Sequence, residues 1–167
     1  GACAMIKMQV QRGFTLIEIT LSLAILAMLA ALAAPMLGNN DVLQVNVTCR
    51  LFMSDFEHAQ IIAISHPEDE IALIVTTEGT GWHIANTTAL ETPLLDTVTQ
   101  EPLSMQLGDG AAASADTASV TTSYDDNIII FDQNGGLSDF SQTLEITFTC
   151  GDASAVLQIN PMTGSFQ

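Results

Sequence analysis

The sequence predicts an α+β chain, a long N-terminal helix packed on an antiparallel β-sheet head, and three observations predict it. Residues 14–34 are a twenty-one-residue apolar run with one charged side chain, Glu18. From Val45 the apolar positions recur at Cys49, Phe52, Phe56, Ala59 and Ala63, steps of four and three that lie on one helical face. Beyond Pro67 the pattern changes to short runs of β-formers separated by turn residues.

The first run is long enough for a spanning helix, which needs about 20 apolar residues. A secretory signal peptide is the competing reading, since AALAAP offers small residues for cleavage. Its apolar core is normally 7–15 residues, and Pro35 sits awkwardly for the cut. Lys7 and Arg12 precede the run and acids begin at Asp41, which orients the N-terminus to the cytoplasm and the head outside. Glu18 is the anomaly. An ionised side chain well inside hydrocarbon costs about 2.5–3.5 kcal/mol even on insertion scales. A chain cut between Gly13 and Phe14 would place a new α-ammonium at that depth. An ammonium and a carboxylate about 4 Å apart attract by about 4 kcal/mol at an effective dielectric near 20. Within one helix that amine lies about one turn back from Glu18, so a carboxylate from a neighbouring subunit serves it better.

Gly13, Phe14, Thr15, Leu16, Ile17 and Glu18, followed by the apolar run and Pro35, resemble the processing and assembly signature of type IV pilins and type II secretion pseudopilins. The resemblance implies that a prepilin peptidase cuts after Gly13 and methylates the Phe14 amine. It also implies that Glu18 of one subunit meets the Phe14 ammonium of another during assembly. The partners implied are other pilins or pseudopilins, an inner-membrane assembly platform and, before assembly, the lipid bilayer. The location implied is a single pass through a bacterial inner membrane, then the filament. Residues 1–13 are then a leader, 14–37 the transmembrane and assembly helix, 38–67 an amphipathic helix and 68–167 the β-rich head. Translation from Met5 or Met8 gives a leader of nine or six residues.

The second helix is expected to start at a cap on Asp41 and end at Pro67, with Gly38 to Asn40 kinking or melting the junction. Strands are expected at 71–77, 81–85, 103–107, 118–124, 128–131, 143–149 and 155–159. LGDGAAASADTAS, from Leu107 to Ser119, lacks bulky residues and reads as an exposed loop. Phe131, Gly135, the two closing strands, Thr163 and Gly164 resemble the C-terminal block of the GspH/FimT family of minor pseudopilins. That narrower likeness implies a type II secretion pseudopilus subunit that initiates or caps the filament. Two alternatives keep the same residues: a minor pilin of a type IV pilus or DNA-uptake machine, and a membrane-anchored monomeric ligand-binding β-domain.

Nineteen acids stand against Lys7, Arg12 and Arg50, a formal charge of −16. This excludes nucleic acid as an expected partner, because phosphate binding relies on Lys and Arg. Cys49 and Cys150 are the two cysteines of the head and are expected to pair in an oxidising compartment, Cys3 lying before the apolar run. No zinc spacing, nucleotide loop or hydrolase motif occurs, so no enzyme activity, catalytic residue, cofactor or metal site is expected. His58, His66 and His83 read as surface or core residues, and Trp82 as packed under the sheet. Asp125, Asp126 and Asp132 supply the oxygen chemistry of a calcium site without its spacing, and read as solvated loops.

Overall fold

The computed structural model describes residues 15–33 and 40–167. The chain divides into two compact units, Gly1–Asn39 and Asn40–Gln167. In the first, helix α1 runs Leu16–Ala33. In the second, α2 spans Asn40–Ser65 and is followed by β1 (Ile71–Val75), β2 (Gly81–Asn86), β3 (Ser104–Gln106), β4 (Ser119–Thr122), β5 (Ile128–Ile130), β6 (Leu144–Cys150) and β7 (Ala153–Ile159). All seven expected strands are present, most of them shorter at their ends. The amphipathic helix and the β-rich head, expected as successive segments, share one core and form one unit. Phe14, Ala34, Pro35 and the expected kink residues Gly38 and Asn39 lie outside the described residues.

The expected single sheet is two. One has the order β3-β2-β1-β5 and the other β4-β6-β7, with every neighbouring pair antiparallel. They approach where Val120 at β4 donates its N–H to the Gly79 carbonyl at 2.9 Å, in the β1–β2 turn. Gly79 has φ +69, and a Cβ there would lie 2.6 Å from the Val120 oxygen, so the junction needs glycine.

Helix α2 holds the sheets together. Its buried stripe is Gln44, Val45, Thr48, Phe52, Phe56, Ala59 and Ala63. The Phe52 ring meets Trp82 of β2 edge-on at 5.3 Å and Phe148 of β6 at 5.5 Å, touching one strand of each sheet. One turn on, Phe56 meets Phe131 at 4.9 Å and Phe166 at 5.3 Å, which draws in the chain after β5 and the C-terminus. Edge-to-face aromatic pairs at such separations add about 0.5–1.5 kcal/mol each beyond area burial.

Two expectations change here. Asp41 is not the cap: α2 starts at Asn40, and Asp41 lies inside its first turn, its carboxylate accepting from the Cys150 thiol at 3.6 Å. The stretch from Leu107 to Ser119 is not simply an exposed loop. It forms a short 3-10 turn at Gly110–Ala112, and Ala112, Ala115 and Ala118 are buried in the head's core. Small side chains at every third position let this segment lie close, and Gln44 fixes it by accepting from the Thr117 N–H at 3.2 Å and hydroxyl at 3.0 Å.

Candidate functional site

The described part of the N-terminal signature begins at Thr15. The Thr15 hydroxyl accepts the Glu18 N–H at 3.3 Å, and its carbonyl accepts from Glu18 and Ile19 at 3.0 and 3.2 Å. Thr15 therefore caps α1, and Thr-x-x-Glu is a capping-box sequence that starts the helix at Leu16. This places Glu18 in the first turn, exposed, where the partial positive charge of the helix end favours a carboxylate. Gly13 and Phe14, the expected cleavage and methylation residues, lie outside the described residues, so their relation to Glu18 is not part of this geometry.

The rest of α1 is suited to apolar surroundings. Its two other polar side chains bond to their own helix, Thr20 Oγ1 to the Ile17 carbonyl at 3.0 Å and Ser22 Oγ to the Glu18 carbonyl at 2.8 Å. Neither hydroxyl needs a solvent acceptor. Leu16, Ile17, Ile19, Leu21, Leu23, Ile25, Leu26, Met28 and Leu29 are all exposed, 50% or more of each, and their spacing leaves no polar face. The eighteen residues of α1 span about 27 Å at the rise of an α-helix. Among the described residues no helix is long and apolar enough to cross a membrane. The expected 14–34 span extends past the described helix at both ends.

Residues 8–34 match a known family, the Prokaryotic N-terminal methylation motif. The chain carries a prepilin-type N-terminus. The match supports a type IV pilin-like or pseudopilin protein and implies processing by a prepilin peptidase and assembly with other pilins. No curated protein and no solved structure matches the chain.

In the head, Cys49 and Cys150, expected to pair, are not joined in this structure and stand as free thiols. Their sulfurs have different neighbours. Cys150, buried at the end of β6, sits 3.2 Å from the Thr117 hydroxyl and donates to Asp41, whereas Cys49 on α2 is 4.0 Å from the Met53 sulfur. Burial pushes the Cys49 thiol up, with Arg50 acting against it.

The three aspartates weighed for calcium do not converge. Asp132 Oδ1 accepts the N–H groups of Asn134 and Gly136, both at 2.8 Å, which closes the turn after β5. Asp126 Oδ1 accepts the Ile128 N–H at 3.1 Å, and Asp125 and Asp126 line an open cavity with Tyr124 and Asp139. Among the described residues no three His, Cys, Asp or Glu side chains are placed to hold a metal ion. His83 bonds the Leu90 carbonyl at 2.7 Å, while His58 and His66 line a groove beside α2.

Three polar residues of α2 escaped the sequence reading. Gln44 and Thr48 lie on the buried stripe at four-residue steps from Phe52, so the signal was present in the spacing and hidden by their polarity. Gln60 donates through Nε2 to the Gly135 carbonyl at 2.6 Å and the Gly164 carbonyl at 3.2 Å. Gly164, at φ +64, leaves room for this amide, which a Cβ there would displace. The turn after β5 and the turn after β7 are thus held by one glutamine.

Proposed function

We propose that this chain is a minor pseudopilin, a structural subunit that helps initiate or cap a short type II secretion filament and performs no catalysis. The observation that carries the reading is the Gly13-to-Glu18 prepilin signature leading directly into a helix with no polar face. On this reading the mature chain is held in the inner membrane by residues 14–37, with the head outside the cytoplasm. Glu18 sets register against the Phe14 ammonium of a neighbouring subunit. From Asn40 onward eighteen acids stand against one arginine, and this supports a minor subunit over a filament of identical heads, whose like charges repel at close approach. The likeness at Phe131, Gly135, Thr163 and Gly164 supports the GspH/FimT branch.

Mass measurement of the mature N-terminus tests the reading. The expected result is a chain beginning at N-methylated Phe14. A terminus after Ala33 or Ala34, or at the initiator methionine, would overturn it.

A further inference from the structure

A groove of about 330 Å³ lies between the C-terminal half of α2 and the segment that runs from Leu94 to Leu103. Its floor includes Ile62, Ile71, Leu94 and Leu103, with Ile71 fully buried. Ile61 and Leu95 form its lips and are 61% and 55% exposed. The volume falls in the range of ligand pockets, about 300–1,000 Å³. The wall opposite the helix is preformed. Leu94 donates to Ile84 of β2 at 2.8 Å and Leu103 to Leu94 at 2.7 Å. Asp96 Oδ1 accepts from Val98 at 2.7 Å and Thr99 at 2.8 Å.

The rim has a definite charge. Asp69 and Asp96 both line the groove, and its only other titratable lining residues are His58 and His66. The apolar strip continues along α2 from Ile61 to Ile64, beside Glu57 in an adjoining shallow cavity. An apolar floor under carboxylates suits the aliphatic stem and cationic head of lysine or arginine.

We propose that this groove docks a segment of a different filament subunit, one that places a Lys or Arg side chain between apolar neighbours, with Asp69 and Asp96 receiving the cation. Charge selects against a second copy of this chain, whose head would bring eighteen acids and the single Arg50. The backbone N–H groups of Thr99 and Val98 hold the Asp96 carboxyl below the usual carboxylate range, so it stays ionised for this role. The inference rests on the pilin-like reading, since it takes the partner from the same filament.

The test places a photo-cross-linking residue at Leu95 of the full-length chain in cells that assemble the filament, with the same residue at Val156 of β7 as control. The expected adduct joins Leu95 to another prepilin-type subunit, at a peptide containing Lys or Arg. The double variant Asp69→Asn, Asp96→Asn should lower its yield at least fivefold. An asparagine at 96 keeps an oxygen to accept the Val98 and Thr99 N–H groups, so the wall is retained. An adduct to a second copy, an adduct to a peptide without a basic residue, a yield unchanged in the double variant, or no adduct above the Val156 control would each overturn the proposal. The N-terminal mass separates the two readings: a correctly processed chain that fails this test sinks the groove and leaves the pseudopilin reading standing.

Discussion

Helices α1 and α2 solve opposite problems. Helix α2 has a buried stripe, and a polar outer row at Asn46, Arg50, Ser54 and Glu57, so one side finds its partner in the two sheets and much of the other meets water. Helix α1 has apolar side chains on every side and all of its described side chains exposed, with Glu18 as its one charge. An all-round apolar helix is stable where something else covers it, lipid or other helices. The stability of the head is therefore written within residues 40–167, while α1 presents exposed apolar side chains suited to a cover of lipid or other helices.

That contrast is broken most sharply at Glu18. Replacement by Gln should lower incorporation into filaments by tenfold or more, read as the sheared or extracted fraction. The denaturation midpoint of the head should stay at its parent value. If Glu18→Gln assembles like the parent, the carboxylate is only a helix-capping feature. The mirror experiment is Phe52→Ala, which removes the ring that touches both sheets and should cost about 3–5 kcal/mol in chemical denaturation of the solubilised chain. Leu23→Ala in α1 should leave that transition unmoved. A comparable loss from both substitutions would erase the distinction between the helices.

The sequence carried the parts of the fold that depend on periodicity. The 4-3-4 spacing from Val45 to Ala63 marked the buried face of α2, and the run of β-formers expected as a strand at 143–149 is seen as β6, one residue further along and with alternate side chains buried. What it did not carry depends on contacts between distant residues. Nothing local distinguishes one sheet from two, because the division follows from which strand pairs with which. Ala112, Ala115 and Ala118 looked like a loop because small residues mark both exposed turns and tight packing, and their burial rests on Gln44 reaching seventy-three positions along the chain to Thr117. Of the candidate site, Glu18 was evident from the cost of its charge. The groove was not, since Asp69 and Asp96 come to line one groove only after β1 and β2 have folded back.

Smaller effects sharpen how the head is tied to α2. Trp82 Nε1 donates to Asp55 Oδ2 at 2.8 Å, and Trp82 is 1% exposed. Asp55→Ala strands that buried N–H and should cost about 1–3 kcal/mol in the same denaturation assay. Gln60→Ala should cost about 1 kcal/mol, because the Gly135 and Gly164 carbonyls lose a shared donor. Backbone hydrogen exchange should then rise at Gly135 to Leu137 and Met162 to Ser165 while β6 stays protected. Equal loosening of β6 would show that Gln60 supports the whole head.

The smallest expected effect is the pH dependence that Asp55 gives the α2–sheet contact. Burial raises its carboxyl above the usual value, and the Trp82 N–H and nearby His58 only partly offset that. Its folded value thus lies above the unfolded one, near 3.9 for aspartate. Between the two values the folded chain holds more protons than the unfolded chain, so stability falls as pH rises through this window and levels off above it. Asp55→Asn keeps an oxygen for the Trp82 N–H and removes the titration. Denaturation midpoints should therefore show the variant gaining on the parent as pH rises from about 3.5 to 7, with other acids contributing equally to both chains. A constant difference across that range would mean that Asp55 ionises in the folded head as freely as in water, and that the hydrogen bond to Trp82 fully compensates its burial.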